Sequence, residues 1–132
     1  MNTSALPKDK TVLIVDDDKA IRIYIGRVLK NIGFNHCAVA ENGTEALSYL
    51  KEHPGQVGLI LSDRQMPDID GKELLARIRG DAGTAAIPFL FVSAISGLSE
   101  EDIPDSKTWF IEKPFRPKQL AEALSSLMQK AG

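Results

Sequence analysis

The chain alternates between short apolar runs and longer stretches with helical spacing. β-Branched and aromatic residues dominate the short runs, and apolar residues recur every three or four positions in the stretches that follow them. Strands that alternate with helices form parallel sheets, because each helix carries the chain back to begin the next strand in the same direction. The pattern therefore predicts an α/β fold with a doubly wound parallel sheet.

Five strands are expected, and four of the following stretches have a clear helical stripe. The predicted strands are Val12–Val15, Phe34–Ala40, Leu59–Leu61, Ile87–Val92 and Trp109–Ile111. We expect the first helix to end at Gly33 and the last to begin near Pro117, since glycine follows helices and proline suits their first turn. Between Ser93 and Trp109 the stripe is poor and Pro104 would stop a helix, so helix four should be short or irregular.

Length and composition describe one ordinary globular domain. The chain has 132 residues and a formal net charge of -2, which favours a cytosolic module over a nucleic-acid or membrane binder. Residues 1–10 are expected to be a mobile tail and residues 11–132 the domain. Cys37 lies in an apolar stretch, where a buried thiol behaves as a small hydrophobe, and we expect no chemical role for it.

Acidic, hydroxyl and ammonium side chains follow the predicted strands. Asp16, Asp17 and Asp18 come after strand one, Asp63 after strand three, Ser93 after strand four and Lys113 after strand five. Ligands of doubly wound sheets bind outside the carboxyl ends of the strands. Carboxylates that converge there repel one another unless a cation is present, and a site rich in hard oxygens suits magnesium.

With Asp63 at the centre, these residues form the parts of a phosphoryl-transfer site. The Asp63 carboxylate would attack phosphorus as the nucleophile, while the metal and Lys113 neutralise the phosphoryl oxygens. Ser93 would donate a hydrogen bond to one of those oxygens. The prediction is that Asp63 accepts a phosphoryl group and that the protein changes shape in response.

Four segments, in this order and spacing, resemble the receiver domain of two-component response regulators. They read VLIVDDD, LSDRQMPDIDG, FVSA and IEKPF, and the similarity covers Thr11 to roughly Lys130. The resemblance is to single-domain receivers of the chemotaxis-regulator kind. It implies a flavodoxin-like sheet in the order 2-1-3-4-5, and a phosphohistidine donor on a histidine kinase or a histidine phosphotransfer protein.

The resemblance also implies a metal site for Mg²⁺ or Mn²⁺. By that likeness Asp17 is a direct ligand together with Asp63, and Asp16 acts largely through water. The backbone carbonyl of Gln65 would supply a further ligand. Receivers catalyse only their own phosphorylation and dephosphorylation, so the protein is not expected to be an enzyme acting on other substrates.

A conformational switch is implied in the same way. Ser93 stands at the family's Ser/Thr switch position and Phe110 at its switch aromatic, although a phenylalanine lacks the hydroxyl of a tyrosine. Lys113-Pro114 matches a bond that is often cis in the family. Ile95 cannot orient water two positions beyond Ser93, so we hypothesise slow loss of the phosphoryl group.

Several polar residues are better explained structurally. Asp18 suits the N-cap of the first helix, and Asp68 and Asp70 suit a turn beside Pro67 and Gly71. The helical basic residues are interpreted as solvated faces and not as a nucleic-acid site; they are Arg22, Arg27, Lys30, Arg77 and Arg79. His36 and His53 have no metal-ligand spacing, so the phosphodonor histidine must lie on another protein.

Three alternatives are open at this point. A phosphatase of the haloacid dehalogenase type would need a DxDx[TV] motif after strand one, where this chain has Ala20. A pure interaction module would lack one of the essential residues, and all of them are present. The chain could also be a receiver cut from a hybrid histidine kinase. The unusual segment after Ser93 makes the downstream protein unknown, and a monomer or weak dimer is expected.

Overall fold

The computed structural model describes residues 8–94 and 103–131. Within them a five-stranded parallel sheet is accompanied by four helices. In chain order the elements are β1 (Thr11–Val15), α1 (Lys19–Ile32), β2 (Cys37–Ala40), α2 (Gly43–Glu52), β3 (Val57–Asp63), α3 (Gly71–Arg79), β4 (Phe89–Ser93), β5 (Thr108–Glu112) and α4 (Pro117–Ala131). The strand order β2-β1-β3-β4-β5 confirms the predicted doubly wound sheet.

The sheet has an apolar core on each face, and the strands other than β2 contribute alternate residues to the two cores. Val12 and Ile14 of β1 pack into the core that is shared with α1 and α4. Leu13 and Val15 pack into the core that is shared with α2 and α3. Because successive side chains of a strand point to opposite faces, a continuous apolar run is what a strand covered on both sides requires.

Helix α1 begins and ends at residues that the sequence singled out. The Asp18 side chain accepts hydrogen bonds from the backbone N–H groups of Ala20 and Ile21, so its predicted role as N-cap is confirmed. Gly33 adopts a left-handed φ of 117°, and its N–H donates to the carbonyl of Lys30. The next N–H, of Phe34, donates to the carbonyl of Leu29, which completes a Schellman motif.

The second strand is shorter than predicted because Phe34 lies in the turn that follows α1. Phe34 is buried, but it lies in the turn that closes the helix, and β2 begins only at Cys37. The expected burial of Cys37 is wrong: its side chain is exposed, as is that of Val39. Both residues belong to an edge strand that pairs only with β1 among the described strands, and alternate positions of this strand face away from the covered side.

The register brings the carboxyl ends of the strands to one edge of the sheet. Val15 at the end of β1 lies opposite Ser62, and Asp63 at the end of β3 lies opposite Val92. Ser93 pairs with Glu112, the residue before Lys113. The strand order reverses between β1 and β3, which is where such sheets bind ligands.

Arg79 corrects the prediction of a solvated basic face on α3. Its guanidinium donates to the carbonyls of Ile87 and Lys107, at 2.6 and 3.1 Å, and to the Asp105 carboxylate at 2.8 Å. Only 16% of its side chain is exposed, whereas 55% of Arg77 is. Arg79 therefore joins the end of α3 to the segments that lead into β4 and β5.

Some predictions fall on residues 1–7 and 95–102. Ile95 and the start of the predicted fourth helix lie outside the described residues, as does most of the predicted tail. Residues 103–107 contain bends and turns and no helix before β5 begins. Among the helices of the described chain, none is long and apolar enough to cross a membrane.

Candidate functional site

Three carboxylates meet at the reversal point of the sheet. Carboxylate oxygens of Asp16, Asp17 and Asp63 all lie within 4.8 Å of one another. Asp16 is 1% exposed, Asp63 is partly buried and Asp17 is open to solvent. The end of β1 and the end of β3 are adjacent, so the fold itself brings these acids together.

Lys113 reaches this cluster from the end of β5. Its ammonium nitrogen lies 2.8 Å from Asp16 Oδ2 and 3.5 Å from Asp63 Oδ2. The Lys113 N–H donates to the carbonyl of Ser93 at 2.7 Å, which extends the pairing of β4 and β5 by one residue. The Lys113-Pro114 peptide bond is cis, as the resemblance implied.

The pKa values of Asp63 and Lys113 depend on their burial and on the charges beside them. Burial raises the pKa of Asp63, the Lys113 ammonium lowers it, Asp16 raises it further, and the net shift is upward. Burial alone would lower the pKa of Lys113, but the hydrogen bond to Asp16 and the charge of Asp63 outweigh it, and its pKa is raised. The lysine is therefore held as a cation between two acids.

The donor set fits a hard divalent cation. Three carboxylates bring three negative charges to a small volume, and Lys113 offsets one of them. Oxygen ligands with an exposed member such as Asp17 suit an ion that keeps several water molecules, as magnesium does. Gln65 donates its N–H to Asp63 Oδ1 at 3.3 Å, so its main chain lies beside the cluster. Its carbonyl as a ligand stays a prediction.

Ser93 and Phe110, the predicted switch residues, lie on neighbouring strands. Ser93 is 1% exposed and lies one position beyond Val92, the partner of Asp63. Phe110 is half-buried and packs against the core beside α2 and α3. Ser93 thus lies at the carboxyl end of β4, and Phe110 lies two residues before the carboxyl end of β5, opposite Phe91.

Arg22 supports the cluster, and sequence reasoning missed it. The guanidinium donates to the backbone carbonyl of Asp16 at 2.7 Å and lies 3.8 Å from a carboxylate oxygen of Glu41. With 10% of its side chain exposed, Arg22 is not part of the predicted solvated face. Arg27 and Lys30 on the same helix are exposed, as predicted. The position of Arg22, one turn after the Asp18 cap, is the sequence signal that could have distinguished it from Arg27 and Lys30.

Asp68 also has a role that its position in a turn did not reveal. Its carboxylate accepts hydrogen bonds from the N–H groups of Gly43 and Thr44, at 3.2 and 2.9 Å, at the beginning of α2. Asp70 caps α3 by accepting from the N–H of Glu73 at 2.8 Å. Both acids are structural, as predicted, but Asp68 joins two βα units and this long-range contact has no local sequence signal.

Comparison with known proteins supports the predicted family. Residues 12–125 match the family model described as response regulator receiver domain. The sensor kinase CckA of Brucella abortus is 37% identical over 125 residues, and response regulator Rre1 of Synechocystis is 32% identical over 123. These matches cover 91% of this chain but only 13% and 52% of the two proteins. Chemotaxis protein CheY-3 of Vibrio cholerae is 31% identical over 127 residues, which cover 95% of this chain and 96% of that protein.

Solved structures have the same fold. Chemotaxis protein CheY4 of Vibrio cholerae, crystallised at low pH, superposes with a TM-score of 0.77 at 26% identity, covering 89% of this chain and 98% of that one. A response regulator receiver protein of Pseudomonas putida gives a TM-score of 0.74 at 28% identity, covering 88% and 95%. The signal receiver domain of a histidine kinase from Syntrophus aciditrophicus gives 0.73 at 26% identity, covering 91% and 90%.

Proposed function

This chain belongs to the response regulator receiver domains, the phospho-accepting switches of two-component signalling, and we propose that Asp63 is its phosphoacceptor. The donor is a phosphohistidine on a sensor kinase or a histidine phosphotransfer protein. The observation that carries the proposal is the position of Asp63, at a strand end beside the acidic pair and 3.5 Å from the Lys113 ammonium. We place the exchange in the cytoplasm, where ATP charges such kinases.

The transfer needs little beyond these groups. An Asp63 carboxylate oxygen attacks phosphorus; the new O–P bond forms as the P–N bond to the donor histidine breaks and its electron pair returns to the imidazole. Lys113, already 3.5 Å from Asp63, pairs with the phosphoryl oxygens. Asp17, Asp63 and the Gln65 carbonyl, with Asp16 acting largely through water, would hold Mg²⁺ or Mn²⁺, which would supply further positive charge at the phosphoryl oxygens.

The signal would leave the site through Ser93 and Phe110. In this proposal the Ser93 hydroxyl bonds to the phosphoryl group and draws the end of β4 inward, and Phe110, half-buried on the neighbouring β5, repacks in response. Phenylalanine has no hydroxyl to form a new hydrogen bond, so the change is steric. A downstream protein then reads the altered face.

The competing phosphatase reading is disfavoured by two observations. Ala20 stands where the haloacid dehalogenase motif requires Thr or Val, and the family match covers almost the whole chain. A place within a larger hybrid kinase is the second candidate, because this chain aligns with 13% of a sensor kinase. In both a free-standing and a hybrid protein, the chemistry at Asp63 would be the same.

Intact-mass measurement tests the proposal. The protein is incubated with magnesium and a small-molecule phosphodonor such as acetyl phosphate, and one added phosphoryl group is expected. Asp63→Ala should abolish the label, while Asp70→Asn, a change at an exposed cap in the same loop, should keep it. Absence of a label on the wild type, or an unchanged label on Asp63→Ala, would refute the assignment.

A further inference from the structure

The loop that carries Gln65, residues 64–70, is packed closely at its C-terminal end. The N–H of Gly71 donates to the carbonyl of Arg64 at 2.9 Å, and a Cβ on Gly71 would overlap the carbonyl oxygen of Asp63. A Cβ added to Gly43, at the beginning of α2, would lie only 2.8 Å from the Cβ of Ile69. The loop therefore rests directly on the beginning of α2.

Asp68 adds a polar tie to this contact. Its carboxylate spans the first turn of α2, with one oxygen accepting from Gly43 and the other from Thr44. Hydrogen bonds from the Thr44 side chain and from nearby backbone N–H groups hold the pKa of Asp68 well below its usual range. The carboxylate is thus charged at neutral pH, where it also interacts favourably with the helix N-terminus.

Asp68 completes the cap of α2 and does so from a distant loop, since it accepts from the N–H groups of Gly43 and Thr44 that Asn42 does not reach. The N–H of Glu45 is already satisfied by Asn42, the N-cap of α2, at 2.8 Å. Asn42 directly precedes the helix that it caps, whereas Asp68 comes from a loop and lies 24 residues after Thr44 in the chain. The two residues stabilise the same helix end, but only Asp68 fixes the path of the loop.

We propose that Asp68 is a positioning residue for the metal site: by tying the loop to α2, it holds the main chain of Gln65 beside Asp63. The inference rests on the proposed function, in which that main chain supplies a metal ligand. Gln65 lies two residues after Asp63 and three before Asp68, so the loop is held on both sides of it. Without the Asp68 contact the Gln65 main chain would be less ordered before the metal binds. Metal binding would then have to order it, and this entropy cost weakens the affinity.

Manganese binding by the unphosphorylated protein tests the proposal. Free Mn²⁺ is measured by electron paramagnetic resonance for the wild type, Asp68→Ala and Asn42→Ala. Asp68→Ala should raise the dissociation constant by about tenfold, the lower end of the effect of groups that orient a ligand without touching the metal. Asn42→Ala removes a cap from the same helix and should stay within about twofold of the wild type.

A second measurement separates positioning from damage to the site. The rate of phosphorylation of Asp68→Ala should return to that of the wild type at saturating magnesium, because Asp63 and Lys113 are unchanged. If Asp68→Ala does not fold, Asp68→Asn replaces it, with a loss of affinity of about twofold to threefold expected from one lost acceptor.

Each outcome decides the proposal. Equal affinities for the wild type and the Asp68 variant, equal weakening by Asn42→Ala, or slow phosphorylation that saturating magnesium does not restore would overturn it. A wild type that binds metal and is labelled at Asp63, with Asp68 indifferent, refutes this inference alone. A wild type that neither binds Mn²⁺ nor accepts a phosphoryl group refutes the proposed function as well.

Discussion

Lys113 lies between two carboxylates, and its positive charge therefore acts differently on phosphorylation and on metal binding. Its ammonium contacts Asp16 at 2.8 Å and Asp63 at 3.5 Å, so it neutralises the acids when no phosphoryl group is bound. The positive charge of Lys113 also repels a divalent cation that binds beside Asp16 and Asp63. A single residue therefore favours the phosphorylated protein and disfavours metal binding beforehand.

Lys113→Met should accordingly slow phosphorylation without weakening metal binding. We expect phosphorylation to slow by about 10²-fold, the cost of removing one charged donor from developing negative charge. Manganese affinity should stay equal or rise, because a positive charge has left the cluster. Phosphorylation is followed by intact mass at saturating magnesium, and Lys118→Met, at an exposed lysine of α4, is the control. Weakened manganese binding in Lys113→Met would contradict this account.

Among the glycines of the described chain, Gly71 at the junction of β3 and α3 leaves the least room for an added Cβ. Gly71 begins α3 directly beside the Asp63 carbonyl oxygen, and any side chain there would meet the backbone of Arg64 as well. Gly26, within α1, differs: the nearest heavy atom to an added Cβ is Ile14 Cδ1, at 4.0 Å. The two glycines allow the same substitution to be compared at a close and at an open position.

Gly71→Ala should destabilise the protein by about 1–3 kcal/mol, as overpacking does, and should slow phosphorylation because Asp63 is displaced. Gly26→Ala should instead stabilise it by about 0.5–1 kcal/mol, since alanine is the better helix former. Urea unfolding followed by circular dichroism measures both. A Gly71→Ala protein of wild-type stability and rate would show that the loop yields without moving Asp63.

At the opposite end of the sheet, Arg79 and Asp105 join α3 to the start of β5. Burial tends to raise the pKa of Asp105, but hydrogen bonds from Arg79, Thr108 and the Lys107 N–H lower it overall. A carboxylate with a depressed folded pKa contributes stability above its unfolded pKa, near 3.9, and loses that contribution as pH falls through the folded value. The tie is therefore complete at neutral pH.

Asp105→Asn should cost about 1 kcal/mol of unfolding free energy at pH 7, because Asp105 is partly exposed and its ion pair is screened. The difference from the wild type should shrink as pH falls below about 4, where Asp105 of the unfolded chain takes up a proton and the folded carboxylate still resists it. Urea unfolding at pH 7 and pH 3 tests this, with Asp81→Asn at an exposed turn as the comparison. A difference that is independent of pH would assign the effect to shape and not to charge.

At the scale of the whole molecule, patterns along the sequence predicted the sheet and the residues that meet at its carboxyl edge. Alternating strands and helices implied the parallel sheet, and polar residues at strand ends implied that Asp16, Asp17, Asp63 and Lys113 would meet; the structure brings them together. Contacts between distant units were missed, because spacing within one helix or loop carries no trace of a partner elsewhere. Arg79 and Asp68 are such cases. The predicted burial of Cys37 was wrong because an apolar run does not show which alternate positions of an edge strand face away from the covered side.

Metal binding should stabilise the entire domain, because the acids come from different strands and cluster only in the folded chain. A ligand that binds the native state alone adds RT ln(1 + [L]/Kd), or about 1.4 kcal/mol at tenfold excess over Kd. For a domain of this size we expect the thermal midpoint to rise by about 5 °C in magnesium and to fall back with chelator. Asp17→Asn, which removes the exposed acid of the cluster, should lose most of this rise. Differential scanning calorimetry with and without magnesium makes the measurement. An equal rise in Asp17→Asn would place the stabilising ion elsewhere on the molecule.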